Sequence, residues 1–356
     1  MQTNEFLYLW AQWGVLNFQQ YQQLTQQFSS LQEAWEKITP DQFRKWGMGE
    51  KKVKRIFEIR QKLDFQHIVQ TLEEIDGKII SIDCPEYPDR LKEIANPPPF
   101  LFVRGQLPIL HKALAVVGTR SATSYGRQVT QKLTSGLVYQ GFTIVSGLAM
   151  GIDAFAHQET LDNQGITVAV LGSGVDRIYP ATNQKLAEKI ISLGGALVSA
   201  YPLGTPAMPH HFPERNEIVS GLSRGVLVIE GGIKSGALIT ARLALEQGRE
   251  VFAVPHDITK KGLEGTHHLI RRGEAKLVSK VDDILEEFAL SMSDQPSLFQ
   301  PSSEHKPLLN ALEKESKTAD ELSQILSVSI PELTSQLVEL SLQGVVVQQG
   351  ERWVLS

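Results

Sequence analysis

Ala-Val-Val-Gly-Thr-Arg (115–120), Ile-Val-Ser-Gly-Leu-Ala-Met-Gly-Ile-Asp (144–153), Val-Leu-Gly-Ser-Gly-Val-Asp (170–176), Ser-Ala-Tyr-Pro-Leu-Gly (199–204) and Val-Ile-Glu-Gly-Gly-Ile-Lys-Ser-Gly-Ala-Leu-Ile-Thr (228–240) share one design. Each is a short apolar run that ends in a glycine-rich or polar turn. Such runs, alternating with helical patterns, indicate parallel strands buried on both faces. In an open parallel sheet, ligands gather at the carboxyl ends of the strands. Here those ends carry Gly, Ser, Thr, Arg and Lys, which offer backbone N–H groups, hydroxyls and positive charge to an anion.

Working outward, the periodicity places strands near 114–118, 143–146, 167–171, 196–200, 225–229 and 250–254, with helices between them and a last helix near 281–288. Before this α/β region, residues 77–110 form a bridge. It has a strand at Lys78–Ile82, then Tyr87-Pro88-Asp89-Arg90-Leu91, then Pro97-Pro98-Pro99-Phe100-Leu101-Phe102-Val103-Arg104-Gly105. The proline run cannot be helical and should lay an extended segment along the following domain.

Residues 1–75 read as helices. Within them, Phe43-Arg44-Lys45-Trp46-Gly47-Met48-Gly49-Glu50-Lys51-Lys52-Val53-Lys54-Arg55-Ile56 has the spacing of a helix-hairpin-helix, and residues 43–63 carry 8 Lys/Arg against 2 Asp/Glu. The glycines would let a nucleic-acid phosphate approach the backbone, and the next helix would present its N-terminus to it. A solvated basic face on a small bundle explains the same charges. Residues 291–305 are rich in Ser, Pro and Gln and read as a linker. Beyond it, helices at 306–315, 319–326 and 331–342 and a β-ribbon at 344–355 resemble a winged helix. Thr318 with Glu321, and Ser329 with Glu332, form two capping boxes. The third helix, Pro331–Leu342, has no Lys or Arg and two acids, Glu332 and Glu339, so a protein-facing role fits it better than DNA reading. The expected domains are thus 1–75, 76–290, a linker at 291–305, and 306–356.

Composition is that of an ordinary soluble protein, 42% hydrophobic and 21% charged. Cys84 is the only cysteine, which excludes an intramolecular disulfide and a thiolate metal cluster and suits a reducing cytoplasm. No apolar stretch is long enough to span a bilayer, and the opening Met-Gln-Thr-Asn-Glu-Phe lacks the basic n-region of a signal peptide. The net charge of −5 taken whole argues against nucleic acid, but its distribution does not. Residues 1–75 hold 9 Lys/Arg against 9 Asp/Glu, residues 76–290 hold 22 against 22, and residues 291–356 hold 4 against 9. The acidic surplus is confined to the tail, so any basic footprint elsewhere must be local.

The candidate ligand residues follow from the strand ends. Gly118, Thr119 and Arg120 close the first strand of the α/β region, the usual anion position. Ser146 and Gly147 close the second. Gly172-Ser173-Gly174 closes the third, but its sixth place is Arg177, so it is not a dinucleotide fingerprint. A tight turn alone would also explain these glycines. Lys234, Ser235, Gly236 and Thr240 open a helix whose first N–H groups face whatever lies above the sheet. Phe212, Arg215 and Asn216 add a ring and a guanidinium; stacking plus phosphate clamping suits single-stranded nucleic acid, while core packing is the plainer reading of Phe212. His157 reads as a packing residue, and Asp153 as an acid at a helix N-terminus. The His210-His211 and His267-His268 pairs cannot easily share one ion, so no metal is expected.

Taken in order, Tyr87-Pro88…Leu91, Pro98–Gly105, Val117-Gly118-Thr119-Arg120, Ser146-Gly147-Leu148-Ala149…Gly151-Ile152-Asp153…Ala156-His157, Gly172-Ser173-Gly174…Tyr179-Pro180, Phe212-Pro213…Arg215-Asn216, Lys234–Ala241 and Gly248-Arg249…Val254-Pro255 resemble the DNA-processing protein A (DprA, or Smf) family over residues 77–285. The resemblance implies an extended Rossmann-like parallel sheet, an N-terminal helical (helix-hairpin-helix or SAM-like) domain and a C-terminal winged helix. It implies a protein that is usually a dimer and needs no catalysis, and no cofactor is expected. Such a protein binds single-stranded DNA and loads the RecA recombinase in natural transformation. Four positions depart from the family pattern: Met150 stands where Lys or Arg is usual, Glu217 where a second Arg is, Ala200 where Glu is, and His256 where Gly is. Met150 and Glu217 are expected around one anion pocket.

Two other readings compete. One is a protein-interaction scaffold with weak DNA binding. The other is a nucleotide phosphoribohydrolase similar to the lysine decarboxylase-like enzymes, which pair a Pro-Gly-Gly-x-Gly-Thr loop with a catalytic Glu. Here Glu230 precedes Gly231-Gly232, and no acid follows them at the required spacing.

Overall fold

The computed structural model describes residues 2–260, 262–288, 306–312, 316–326, 328–342, 346–349 and 352–355. Contacts divide the chain into two compact units, Met1–Glu287 and Phe288–Ser356. The expected linker at 291–305 lies outside the described residues.

The first unit begins with helices α1 (Gln2–Trp13), α2 (Phe18–Gln27), α3 (Leu31–Lys37), α4 (Pro40–Lys45), α5 (Glu50–Arg60) and α6 (Phe65–Glu74). Their starts are set by capping: Asn17 and Gln20 form a reciprocal capping box, and Ser30 and Asp64 cap α3 and α6. Their core is aromatic. The rings of Trp10, Trp35, Phe43 and Phe57 pack around or beside Trp13 at centroid distances of 5.1 to 5.5 Å.

Next come β1 (Gly77–Ser81), α7 (Asp89–Lys92), β2 (Phe100–Gly105), β3 (Ala113–Val117), α8 (Ser124–Tyr139), β4 (Thr143–Ser146), α9 (Ile152–Asp162), β5 (Thr167–Val170), α10 (Gln184–Ser192) and β6 (Ala196–Ser199). They are followed by α11 (His211–Gly221), β7 (Gly225–Val228), α12 (Gly236–Glu246), β8 (Glu250–Ala253), α13 (Glu264–Arg271), β9 (Lys276–Leu277) and α14 (Asp282–Glu287). Among the described residues these strands form one sheet in the order β1-β2-β6-β5-β4-β3-β7-β8-β9. From β6 to β9 it is parallel, as the apolar runs imply; every residue of β3, β5, β6 and β7 is buried.

The bridge differs from its reading as an extended segment laid along the domain. It contributes two antiparallel strands to the sheet itself, β2 on β6 and β1 on β2. Alternation explains why. Phe100 and Phe102 point into the aromatic core of the helices, whereas Leu101 and Val103 point into the core of the sheet. One strand therefore serves two cores. The proline run is fixed beside it, with Ile82 N donating to Pro99 O (2.9 Å) and Tyr87 Oη donating to Pro98 O (2.7 Å).

The second unit comprises α15 (Lys306–Leu312), β10 (Lys317–Thr318), α16 (Ala319–Leu326), α17 (Ile330–Leu342), β11 (Val346–Gln349) and β12 (Arg352–Leu355), with sheet order β10-β12-β11. The first capping box is formed as expected: Thr318 N donates to Glu321 Oε2 (2.8 Å) and Glu321 N to Thr318 Oγ1 (3.2 Å). Leu308, Leu322, Leu333, Leu337, Val346 and Trp353 make its core. Residues 313–315, the end of the expected first helix, and 344–345 and 350–351 of the expected ribbon lie outside the described residues.

Candidate functional site

From β3 the chain winds one way through β4, β5 and β6, then returns to place β7 on the other side of β3. The loops after β3 and β7 therefore diverge and leave a crevice, the place where open α/β sheets bind ligands. A cleft of about 650 Å³ opens there. Gly118, Thr119, Arg120, Gly147, Phe212, Arg215, Asn216, Ser235, Gly236 and Thr240, all expected at the site, line it.

The loop after β3 is fastened at several points. Thr119 N donates to Glu230 O (2.8 Å), Ile152 N to Thr119 O (3.2 Å), and Ser121 N to Thr119 Oγ1 (3.2 Å). Gly151 allows this closeness. It has φ +78°, and any Cβ there would run into Thr119 O and the Arg120 backbone. Thus held, Arg120 projects exposed over the cleft, its guanidinium carbon 5.2 Å from the centre of the Phe212 ring. Among the described residues Arg120 makes no ion pair. Phe212 also meets Tyr179, at 5.6 Å between centroids, so two rings border the opening.

Arg215 has a different role from Arg120. It is 4% exposed, and its Nη1 donates to the carbonyls of Gly147 and Val170. Beside it Asp153, also buried, accepts from Gly147 N (3.1 Å) and Ala149 N (3.4 Å). Burial pushes the Asp153 carboxyl above its ordinary range while the Arg215 charge opposes the shift; burial likewise lowers Arg215 and Asp153 opposes it. Together they form a buried polar floor under the loop after β4. Deeper still, His157 is fully buried, and burial followed by the Arg215 charge lowers its pKa to about 3, so it is neutral at ordinary pH. Thr167 Oγ1 donates to Ile144 O (2.7 Å), which leaves it to accept from His157 Nδ1 (2.7 Å). His157 is the packing residue its surroundings suggested.

The opposite wall is the start of α12. Its N-cap, Ser235, makes no capping bond, and the Ser235 hydroxyl is buried with no hydrogen-bond partner. The open helix N-terminus is an arrangement that an anion's oxygens would complete, while the Ser235 hydroxyl lies against Gly231. Asn216 links this wall to α11, with Nδ2 reaching Gly236 O (3.4 Å) and Oδ1 accepting from Arg215 Nε (3.2 Å).

Not every expected residue reaches the cleft. Ser146 is buried and donates to Val116 O (2.6 Å). Lys234 is exposed on the loop before α12 but is not part of the lining. Gly172, Ser173 and Gly174 lie outside it too, because α11, the end of β6 and the segment after it take up their polar groups. The His211 ring Nδ1 meets Gly172 O (3.0 Å), Ser199 Oγ donates to Ser173 O (2.6 Å), and Gly174 N donates to Thr205 O (2.9 Å). Conversely Tyr179, Ala149, Asp153 and Ile239 line the cleft and were not assigned to it from sequence. Tyr179 was recoverable, since it stands in the Tyr179-Pro180 motif and is an exposed aromatic; Ile239 carries no such signal.

Comparison with known proteins bears on what such a cleft meets. Residues 78–289 match the family described as DNA recombination-mediator protein A, and residues 281–351 match the DprA winged helix domain. Protein Smf of Escherichia coli (strain K12) is 42% identical over 284 residues, covering 77% of this chain and 76% of that protein. The chain belongs to the DprA/Smf family. Its fold is similar to that of DNA processing protein A from Streptococcus pneumoniae, with TM-score 0.68 and 36% identity, covering 80% of this chain and 98% of that one. It is also similar to DNA processing protein A from Helicobacter pylori, whose structure describes a single-stranded DNA binding mode: TM-score 0.54, 27% identity, 60% of this chain and 96% of that one.

The four departures from the DprA pattern fall in different surroundings. Met150 is half exposed and borders the cleft beside Arg120, Tyr179 and Phe212. Glu217 does not share that pocket, contrary to expectation. It is half-buried, and burial and then the charges of Glu214 and Glu246 raise its pKa, so it belongs to an acidic group on the α11–α12 side. Next to Ala200, Tyr201 finds another acid, donating from its hydroxyl to Glu214 Oε2 (2.6 Å). His256 clips strand ends together: its Nε2 meets Ile229 O (2.8 Å) and its backbone N donates to His267 Nε2 (2.9 Å). Glu230, the residue a hydrolase reading needs, is fully buried and accepts from the backbone N (2.9 Å) and hydroxyl of Thr123. Its carboxylate is spent on the start of α8 rather than presented to the cleft.

Proposed function

We propose that this DprA/Smf protein binds single-stranded DNA in the cleft between the β3 and β7 loops, without chemistry, and delivers it to the RecA recombinase during recombination or natural transformation. The observation that carries the reading is the pairing of Arg120, held over the Phe212 ring, with the uncapped N-terminus of α12. A phosphate between them would gain a cation on one side and N–H donors on the other, while Phe212 and Tyr179 offer faces to unpaired bases. Nothing in this set reads base edges, so binding is sequence-independent. The Helicobacter pylori relative supports the strand type. We further propose a cytoplasmic homodimer; among the described residues no helix is long and apolar enough to cross a membrane. Low-salt titration with single- and double-stranded oligonucleotides tests the binding step, and the lag of RecA filament assembly on the same single strand tests delivery. A shorter lag with the protein present is expected; an unchanged lag alongside tight binding would leave a binder that does not load.

A further inference from the structure

The basic hairpin before residue 63 has no part in the cleft, and its construction points to a ligand of its own. The α4–α5 turn, Trp46-Gly47-Met48-Gly49, has φ +81° at Gly47, and neither glycine has any atom within 4 Å of where a Cβ would stand. The turn is therefore bare backbone facing open space. Met48 packs on the aromatic core, and Val53 and Ile56, at the fourth and seventh places after Gly49, are buried in it, so the hairpin is rigidly seated. Gly49 caps α5 without a side-chain bond; the Lys52 N–H turns back to Gly49 O (3.0 Å), which leaves the Glu50 and Lys51 N–H groups at the helix start open. The acid at this helix start, Glu50, is already neutralised: Arg44 grips it twice, at 2.7 and 2.8 Å.

Around the turn the cations are unspent. Lys45, Lys51, Lys52, Lys54, Arg55 and Lys62 are all exposed, and none makes an ion pair among the described residues. Lys51 and Arg55 stand on the face of α5 opposite Val53 and Ile56, as a four-residue spacing requires. In a chain whose first 75 residues are charge-balanced, this is a local footprint for a polyanion.

We propose that this hairpin is a second nucleic-acid contact that grips the phosphate backbone of duplex DNA, so that the full chain prefers a junction of duplex and single strand. The two surfaces divide by chemistry. The cleft has rings for unpaired bases, whereas at the hairpin Trp46 and Phe57 are packed into the core and the turn offers only backbone and cations. A surface without stacking faces suits DNA whose bases are already paired and whose phosphates are regularly spaced. The duplex grip stands without the cleft reading, whereas the junction preference rests on both.

The test uses the full chain and three probes at one salt concentration: a single strand, a blunt duplex, and that duplex carrying the single strand as an overhang. The tailed duplex should bind at least tenfold tighter than the single strand. The combined Lys51→Glu, Lys52→Glu and Arg55→Glu variant, all at exposed positions, should lose that gain and the blunt-duplex binding, with single-strand affinity unchanged within twofold. Phe212→Ala should do the reverse, weakening the single strand and sparing the blunt duplex; if it leaves the single strand untouched, the cleft reading falls and the hairpin proposal stands. Blunt-duplex affinity unchanged by the triple reversal would overturn the hairpin proposal. So would retention by phosphatidylglycerol vesicles, abolished by the same reversal, without duplex binding.

Discussion

Gly118-Thr119-Arg120 and Gly172-Ser173-Gly174 look alike in sequence, each a small flexible turn at the end of a buried parallel strand, yet they do opposite things. The second is closed over by protein: α11, the end of β6 and the segment after it satisfy its carbonyls and its Gly174 N–H. The first lies at the point where the winding direction changes, so the neighbouring loops part and Arg120 is left over an open cleft. Glycine signals that something approaches closely. Whether that is another loop or a ligand is decided by strand order, which no local motif contains.

The sharpest way to break this contrast is to disturb each loop by one methyl group. Gly151→Ala combines a φ that L residues rarely adopt with a clash against the Thr119 carbonyl. It should cost about 2–4 kcal/mol in urea denaturation and lower single-strand affinity. Unchanged stability would mean that Gly151 does not set the Arg120 loop. Gly174→Ala would bring a Cβ to 2.7 Å from Pro202 O. Stability should fall by about 1–3 kcal/mol while the folded protein binds DNA as before. A parallel loss of affinity would return this loop to the site.

The histidine beneath the floor of the cleft should make stability respond to pH. His157 has its pKa lowered from the ordinary 6.5 to about 3. Between those values the unfolded chain takes up a proton that the folded protein refuses, so stability present above pH 6.5 is lost as pH falls through the window. The slope is about 1.4 kcal/mol per pH unit for one group. His157→Asn should be less stable overall and flatten that slope; the same slope in the variant would assign it to other groups. The smallest effects belong to the departures from the family pattern. Met150→Lys, at the cleft border, should tighten DNA binding by less than about 1 kcal/mol, and the gain should shrink with salt. Glu217→Arg should do less for binding, since it relieves an acidic group away from the pocket. The reverse ranking in a salt titration would move Glu217 back into the site.

Much of this was legible from sequence because parallel strands buried on both faces have little choice of residue. Each run from Ala113 to Ala253 was found as a strand near its expected place. The bridge was harder. Phe100–Val103 reads as continuous apolar chain, and its division between two cores appears only when the helices are packed on one side. At the site, the turn residues identified the loops but not the use of each side chain. Arg120 and Arg215 carry the same charge in similar motifs; one is exposed over a ring, and the other is buried and bonded to Gly147 and Val170 carbonyls. Burial separates them, and burial is a property of the assembled sheet.

That the cleft reads phosphate is tested most directly by Arg120→Ala, since Arg120 is exposed and its removal leaves the loop's backbone bonds intact. Single-strand affinity should be measured across a salt series for both proteins. Losing one charge-assisted contact should weaken binding by about 1.5–3 kcal/mol and reduce the slope of log K against log salt by about 0.7. The same affinity and the same slope in the variant would show that no phosphate sits beneath Arg120, and the cleft would lose its claim to DNA.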